Sequence, residues 1–168
     1  MATRSLAYRA SSTVTNAIES LATSSTWVAG YESATIDNTS NLDLDILLSG
    51  ITTVGTTPTA NTVIEHWVVP IIDSDGSTWP DVFDGTTSAE TVTSREILLS
   101  CGKLAASIDV PSTTSNISYP WGAVSVRALF GSVPPKFVVF TTHNTGVNLN
   151  ATAGNQKLFA KGVYETVA

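Results

Sequence analysis

Cysteine occurs once in 168 residues, at Cys101, so no intrachain disulfide can form and no disulfide framework organises the chain. Histidine occurs twice, at His66 and His143, with no His-X-His pair. That removes the metal site of the enzymatic jelly-roll (cupin) class and leaves little for acid–base chemistry. Charge is scarce: 13% of residues are Asp, Glu, Lys or Arg, about half the usual share. The net charge of −6 disfavours a general basic surface for nucleic acid. No apolar run approaches the roughly 20 residues of a membrane helix. The two arginines near the start, Arg4 and Arg9, precede no apolar stretch, so no signal peptide is expected. Gly-X-Ser-X-Gly, P-loop and dinucleotide fingerprints are all missing. These absences lead to the expectation of a soluble, non-enzymatic protein made in a cytoplasm, without cofactor and without nucleic-acid or membrane partners.

Hydroxyl side chains fill the space that charge leaves. There are 25 Thr and 20 Ser. Threonine is β-branched and suits a half-buried pleated surface. A hydroxyl-rich surface also suits an interface, because few charges need desolvation. Three Asn-X-Ser/Thr matches, at Asn38, Asn116 and Asn150, are what chance gives in so Ser/Thr-rich a chain. The length buries a real core without disulfides or metal.

Short apolar runs separated by turn residues predict strands packed as a sandwich. In Asn41 to Leu48 the alternation places Leu42, Leu44, Ile46 and Leu48 on one face and Asp43, Asp45 and Leu47 on the other. Thr26 to Ile36 reads as a strand ending at the turn Asp37-Asn38. Thr62 to Ile72 reads as another, with Pro70 marking an edge or bulge. Glu96 to Val110, Val124 to Phe130, Lys136 to Thr142 and Lys157 to Val167 complete the set. Seven or eight such strands predict a single all-β antiparallel sandwich of jelly-roll type over residues 26–168. Residues 1–25 read as an extended arm whose last part joins the sheet. Val14, Ile18 and Leu21 have helical spacing, but the crowded Ser and Thr lower helix propensity.

The candidate sites are weighed in turn. His66 reads as a packed strand residue, and His143 as a solvated turn residue. Cys101 has no base or helix N-terminus beside it in sequence, so it reads as structural. Asp73, Asp75 and Gly76 resemble a calcium loop, but the glycine is fourth rather than sixth, and a hairpin tip fits better. A non-EF calcium site of Asp73, Asp75 and Asp81 is the alternative there. Asp43 and Asp45 read as keeping one strand face wet. Trp27, Trp67, Trp79 and Trp121 could form a sugar-stacking platform, with Trp79 the best placed, in a loop. Loop aromatics also anchor protein contacts, and that reading ranks higher.

Four stretches occur in a telling order: Tyr31-Glu-Ser-Ala-Thr-Ile-Asp-Asn-Thr-Ser-Asn-Leu-Asp-Leu-Asp, Thr57-Pro-Thr-Ala-Asn-Thr, Asp75-Gly-Ser-Thr-Trp-Pro-Asp and Gly154-Asn-Gln-Lys-Leu-Phe-Ala-Lys-Gly-Val-Tyr-Glu-Thr-Val. In that order they resemble small proteins of tailed-phage structural gene modules. The resemblance runs from about Leu21 to the C-terminus and leaves the N-terminal part unmatched. It implies a virion component similar to the jelly-roll capsid decoration (cement) proteins. Such proteins sit on the outer surface of icosahedral heads as homotrimers and bridge copies of the major capsid protein. On that implication the partner-contact candidates are Arg4, Arg9 and Trp79, with no catalytic, cofactor or metal residues. A carbohydrate-binding or adhesion module of a tail or head fibre is the alternative, and it needs Trp79 and Trp121 in one concave site. A hydrolase of cupin or lyase type is a third reading, which the histidine count opposes.

Overall fold

The computed structural model describes residues 3–73 and 77–167. Asp75 and Gly76 of the calcium-loop reading lie outside the described residues.

Two antiparallel sheets form a β-sandwich, the fold class the sequence predicts. The first sheet runs in the order β1 (Arg4–Tyr8), β11 (Lys157–Val167), β5 (Asp45–Thr53), β9 (Ser118–Ser125), with β2 (Ser12–Thr13) also on β11. The second runs β7 (Ser88–Thr91), β3 (Ala29–Glu32), β10 (Lys136–His143), β6 (Thr62–Pro70), β8 (Lys103–Val110), with β4 (Ile36–Asp37) on β10. Between the sheets lie Ile46, Leu48, Leu158 and Ala160 of the first and Val68, Phe137 and Val139 of the second. Ile18, Val54, Ile64, Val110 and Leu149 close one end.

The second sheet is covered on its other face too. Trp67, Val69, Val138 and Phe140 alternate with the inward residues and pack against Phe83, Val92 and Leu98. These come from the segment 77–102, which includes helix α1 (Arg95–Cys101). Burial on both faces explains the near-continuous apolar runs of β6 and β10. Along β5 burial instead alternates with period two, as it does at the start of β11 until Val163 shifts the phase.

Several sequence expectations are corrected here. The expected strand Glu96 to Val110 begins as α1, capped by Ser94, whose hydroxyl accepts from the Ile97 N–H at 3.3 Å. The expected strand Val124 to Phe130 ends in helix α2 (Val126–Phe130), capped by Ser125 and stopped by Gly131 at φ 82°. In the arm it is the first part, β1 and β2, that joins a sheet, while 14–28 is loop. Leu42 adopts φ 49°, which breaks the alternation before β5 begins. Leu42 and Leu44 are therefore exposed while Asp43 is buried. Pro70 closes an inner strand at its last residue, beyond the β8 pairing that ends at Val68, so no ladder bond is lost there.

Candidate functional site

Besides the β1–β11 pairing, a partly buried ion pair holds the arm. Arg9 Nε donates to Asp43 Oδ1 at 2.7 Å, and its guanidinium lies 4.6 Å from the Tyr164 ring centre. Asp43 is buried and further fixed by Asn38, which accepts from the Asp43 N–H and donates to its carbonyl. Gly162 is needed opposite, since a Cβ there would collide with the Asp43 carboxylate. A cleft of about 330 Å³ opens beside this pair, with Ser12, Thr35, Asp37 and Asn41 in its walls. Each charged wall group already has a partner. Asp37 accepts from the Thr39 N–H and hydroxyl, which hold its carboxyl below the usual range with help from Lys136.

Of the three sequence-predicted contact residues, Arg4 points to solvent, 72% exposed, with only a 3.5 Å contact to Glu165. Arg9 is committed to Asp43. Trp79 packs on the outer cluster of the second sheet, against Gly85. The structure does not bring these three together.

The tryptophans are dispersed as well. Trp121 lies between the sheets, stacked on His66. Trp79 lies on the other side of the second sheet. Trp27 and Trp67 flank Arg95, at 5.4 and 4.8 Å from its guanidinium carbon. Arg95 forms a fork on Glu65 at 2.7 and 2.9 Å, and Trp67 Nε1 donates to the same carboxylate at 2.8 Å. The clamp ties α1 to β6. No local spacing in the sequence links Glu65 to Arg95, so it was invisible there.

Both histidines are buried. His66 sits between the hydroxyls of Thr52 and Thr141, 2.9 Å from each, and burial, with His143 nearby, pushes it down to about 3. His143, expected to be solvated, is covered by the segment around Leu21. Its Nε2 donates to the Leu21 carbonyl at 3.0 Å, and burial lowers it to about 4. Both rings are therefore neutral near neutral pH, held by hydroxyls and a carbonyl.

Cys101 is half-buried at the end of α1, where burial raises its thiol above the ordinary value. Asp81 accepts from the Thr93 N–H and hydroxyl, at 2.8 and 2.6 Å. Asp45 accepts from the Ser125 hydroxyl and the Arg127 N–H at the start of α2. Among the described residues, no group of three or more His, Cys, Asp or Glu converges as a metal site. The described helices include none long and apolar enough to cross a membrane.

Glu32 escaped the sequence reading. It is fully buried, and burial raises its carboxyl to about 7 against the opposing N–H donors of Gly85 (2.7 Å) and Asp84 (3.4 Å).

No protein-family model matches the chain, and neither does any curated protein or solved structure.

Proposed function

We propose that this chain is a non-enzymatic phage virion protein that decorates the outer surface of the head and stabilises it by binding the major capsid protein. The supporting observation is the arm. Among the described residues, β1 is an edge strand, paired only with β11 through Arg4↔Val167 to Tyr8↔Val163. Its outer backbone edge is therefore available to an added strand, the geometry by which one protein extends another's sheet. Arg4 stands beside that edge and fits an acidic group on the partner. Arg9 does not reach outward; it anchors the arm at its inner end.

Repetition strengthens such contacts. Many weak strand additions on one particle act together, so modest individual affinity suffices. The buried, neutral histidines support a packing role over a catalytic one. The resemblance to decoration proteins supplies the head surface and the capsid partner. The protein would be synthesised in the host cytoplasm and reside on the virion.

The test is addition of the purified protein to particles lacking it, imaged by cryo-microscopy. Regular density at threefold or quasi-threefold positions of the head, with β1 against the capsid, is the expected result. Density confined to tail or fibres, or no binding, overturns the reading.

A further inference from the structure

The two sheets are covered unequally. Residues of 77–102 cover the outer face of the second sheet, while among the described residues no core cluster lies on the outer face of the first. That bare face is nonetheless apolar. The pairing register places Leu6, Tyr8, Leu47, Ile51, Phe159 and Val167 on it together. Opposed residues share a face and neighbours alternate. Lys161 lies over the Tyr8 ring at 5.0 Å, which confirms that side for both strands. None of the six belongs to a core cluster. Leu6 is 66%, Tyr8 59% and Val167 65% exposed, Leu47, Ile51 and Phe159 are half-buried, and Val163, on the same face between Tyr8 and Asp45, is buried.

We infer that a second copy of this chain packs on this face, sheet against sheet. Three features select that occupant. The first is size. The strands β1, β2, β11, β5 and β9 have 5, 2, 11, 9 and 8 residues, so at about 3.3 Å per residue and 4.8 Å between strands the face covers roughly 550 Å², about two-thirds of one partner's share in a standard interface. The second is charge. Arg4, Lys157 and Lys161 against Asp45 and Glu165 leave the face at +1 in a chain of −6, so the rest of the chain carries −7. Copies repel one another more strongly elsewhere, and here each face carries a charge of only +1, with both signs available for cross-pairing. The third is shape. Two sheets of the same twist stack face to face about 10 Å apart, and an identical sheet meets that condition. The resulting isologous pair is a dimer, whereas the family resemblance implies a trimer.

Sedimentation equilibrium of the whole chain tests this over about 1 to 100 μM. The expected result is a shift from the chain mass of 17.6 kDa to twice that value. Leu6→Glu and Phe159→Glu should each weaken association by about tenfold or more. Leu99→Glu, at a 53% exposed leucine on α1, should leave it unchanged. Leu6 lies on an exposed edge strand, so its variant stays informative where the Phe159 variant fails to fold. A mass that stays at one chain, a trimer mass, or a dimer indifferent to both substitutions overturns the inference. If a monomer binds heads and Leu6→Glu abolishes that binding, the face belongs to the capsid protein. The dimer then falls while head decoration stands.

Discussion

His66 and Trp121 stack face to face across the sandwich interior, with ring centroids 4.5 Å apart and planes inclined by 20°. The pair fills the interior beside Thr52 and Thr141, where a purely apolar core would leave both hydroxyls unsatisfied. It also makes the fold sensitive to acid.

His66 near 3 and His143 near 4 both lie below their unfolded value of 6.5. Between pH 6.5 and 4 the unfolded chain therefore binds two protons that the folded chain refuses. Stability is present above 6.5 and is lost as pH falls, by about 1.4 kcal/mol per pH unit for each histidine. Urea midpoints should drop between about pH 7 and pH 5, and His66→Asn should reduce the drop. A midpoint that is flat over that interval in both proteins contradicts the assignment.

Glu32 acts in the opposite direction. Its folded value of about 7 exceeds the ordinary 4.5, so its contribution is complete below 4.5 and is lost as pH rises through 7. Facing it are Asp84 and Glu90, which add to its burial in raising it. One proton held by the folded chain thus offsets one of the two taken up by unfolded histidines. Glu32→Gln should stabilise the protein by about 1 to 3 kcal/mol at about pH 8, and should double the steepness of the acid loss. Thermal melts at about pH 8 and at about pH 5 read both effects. Destabilisation at the higher pH would show that the N–H bonds to the carboxylate outweigh its burial.

The sandwich was legible because β6, β10 and β11 carry long β-branched and aromatic runs bounded by turn residues. The helices were not. At seven and five residues, α1 and α2 are shorter than the window over which helical periodicity shows. Only their caps, Ser94, Ser125 and Gly131, carried a signal. The burial of Asp43 and His143 was out of reach for a different reason. Each is covered by a segment remote in sequence, Asp43 by Arg9 and His143 by the chain around Leu21. Local alternation carries no information about such cover. The apolar outer face was not legible, because Leu47 was placed with Asp43 and Asp45 on a face read as wet.

Removing the anchor of the arm should release it without unfolding the sandwich. Arg9→Ala strips the guanidinium from Asp43, whose side chain is only 4% exposed. The cost should be about 1 to 3 kcal/mol, reduced from a fully buried pair because Arg9 is itself 37% exposed. Gly162→Ala should produce the same result from the other side, by displacing the Asp43 carboxylate. Hydrogen exchange should quicken at β1 and the start of the arm while β6 and β10 keep their protection. Equal loss of protection in all strands would mean that the arm and sandwich open as one unit.

The Arg95 clamp separates charge from geometry. Arg95→Lys keeps the cation but cannot form the two-toothed contact with Glu65 or spread its charge over Trp27 and Trp67. Arg95→Ala also leaves Glu65 without its cation, retaining only the Trp67 N–H. The lysine variant should lose about 1 to 2 kcal/mol and the alanine variant about 2 to 4. Tryptophan emission should shift to the red in both, since Trp27 and Trp67 lose their shared cover. Denaturant unfolding followed by fluorescence gives both quantities in one experiment. A lysine variant as stable as the parent would place the worth of the contact in charge alone, and would remove the spread of charge over the rings from the account of how α1 is held on β6.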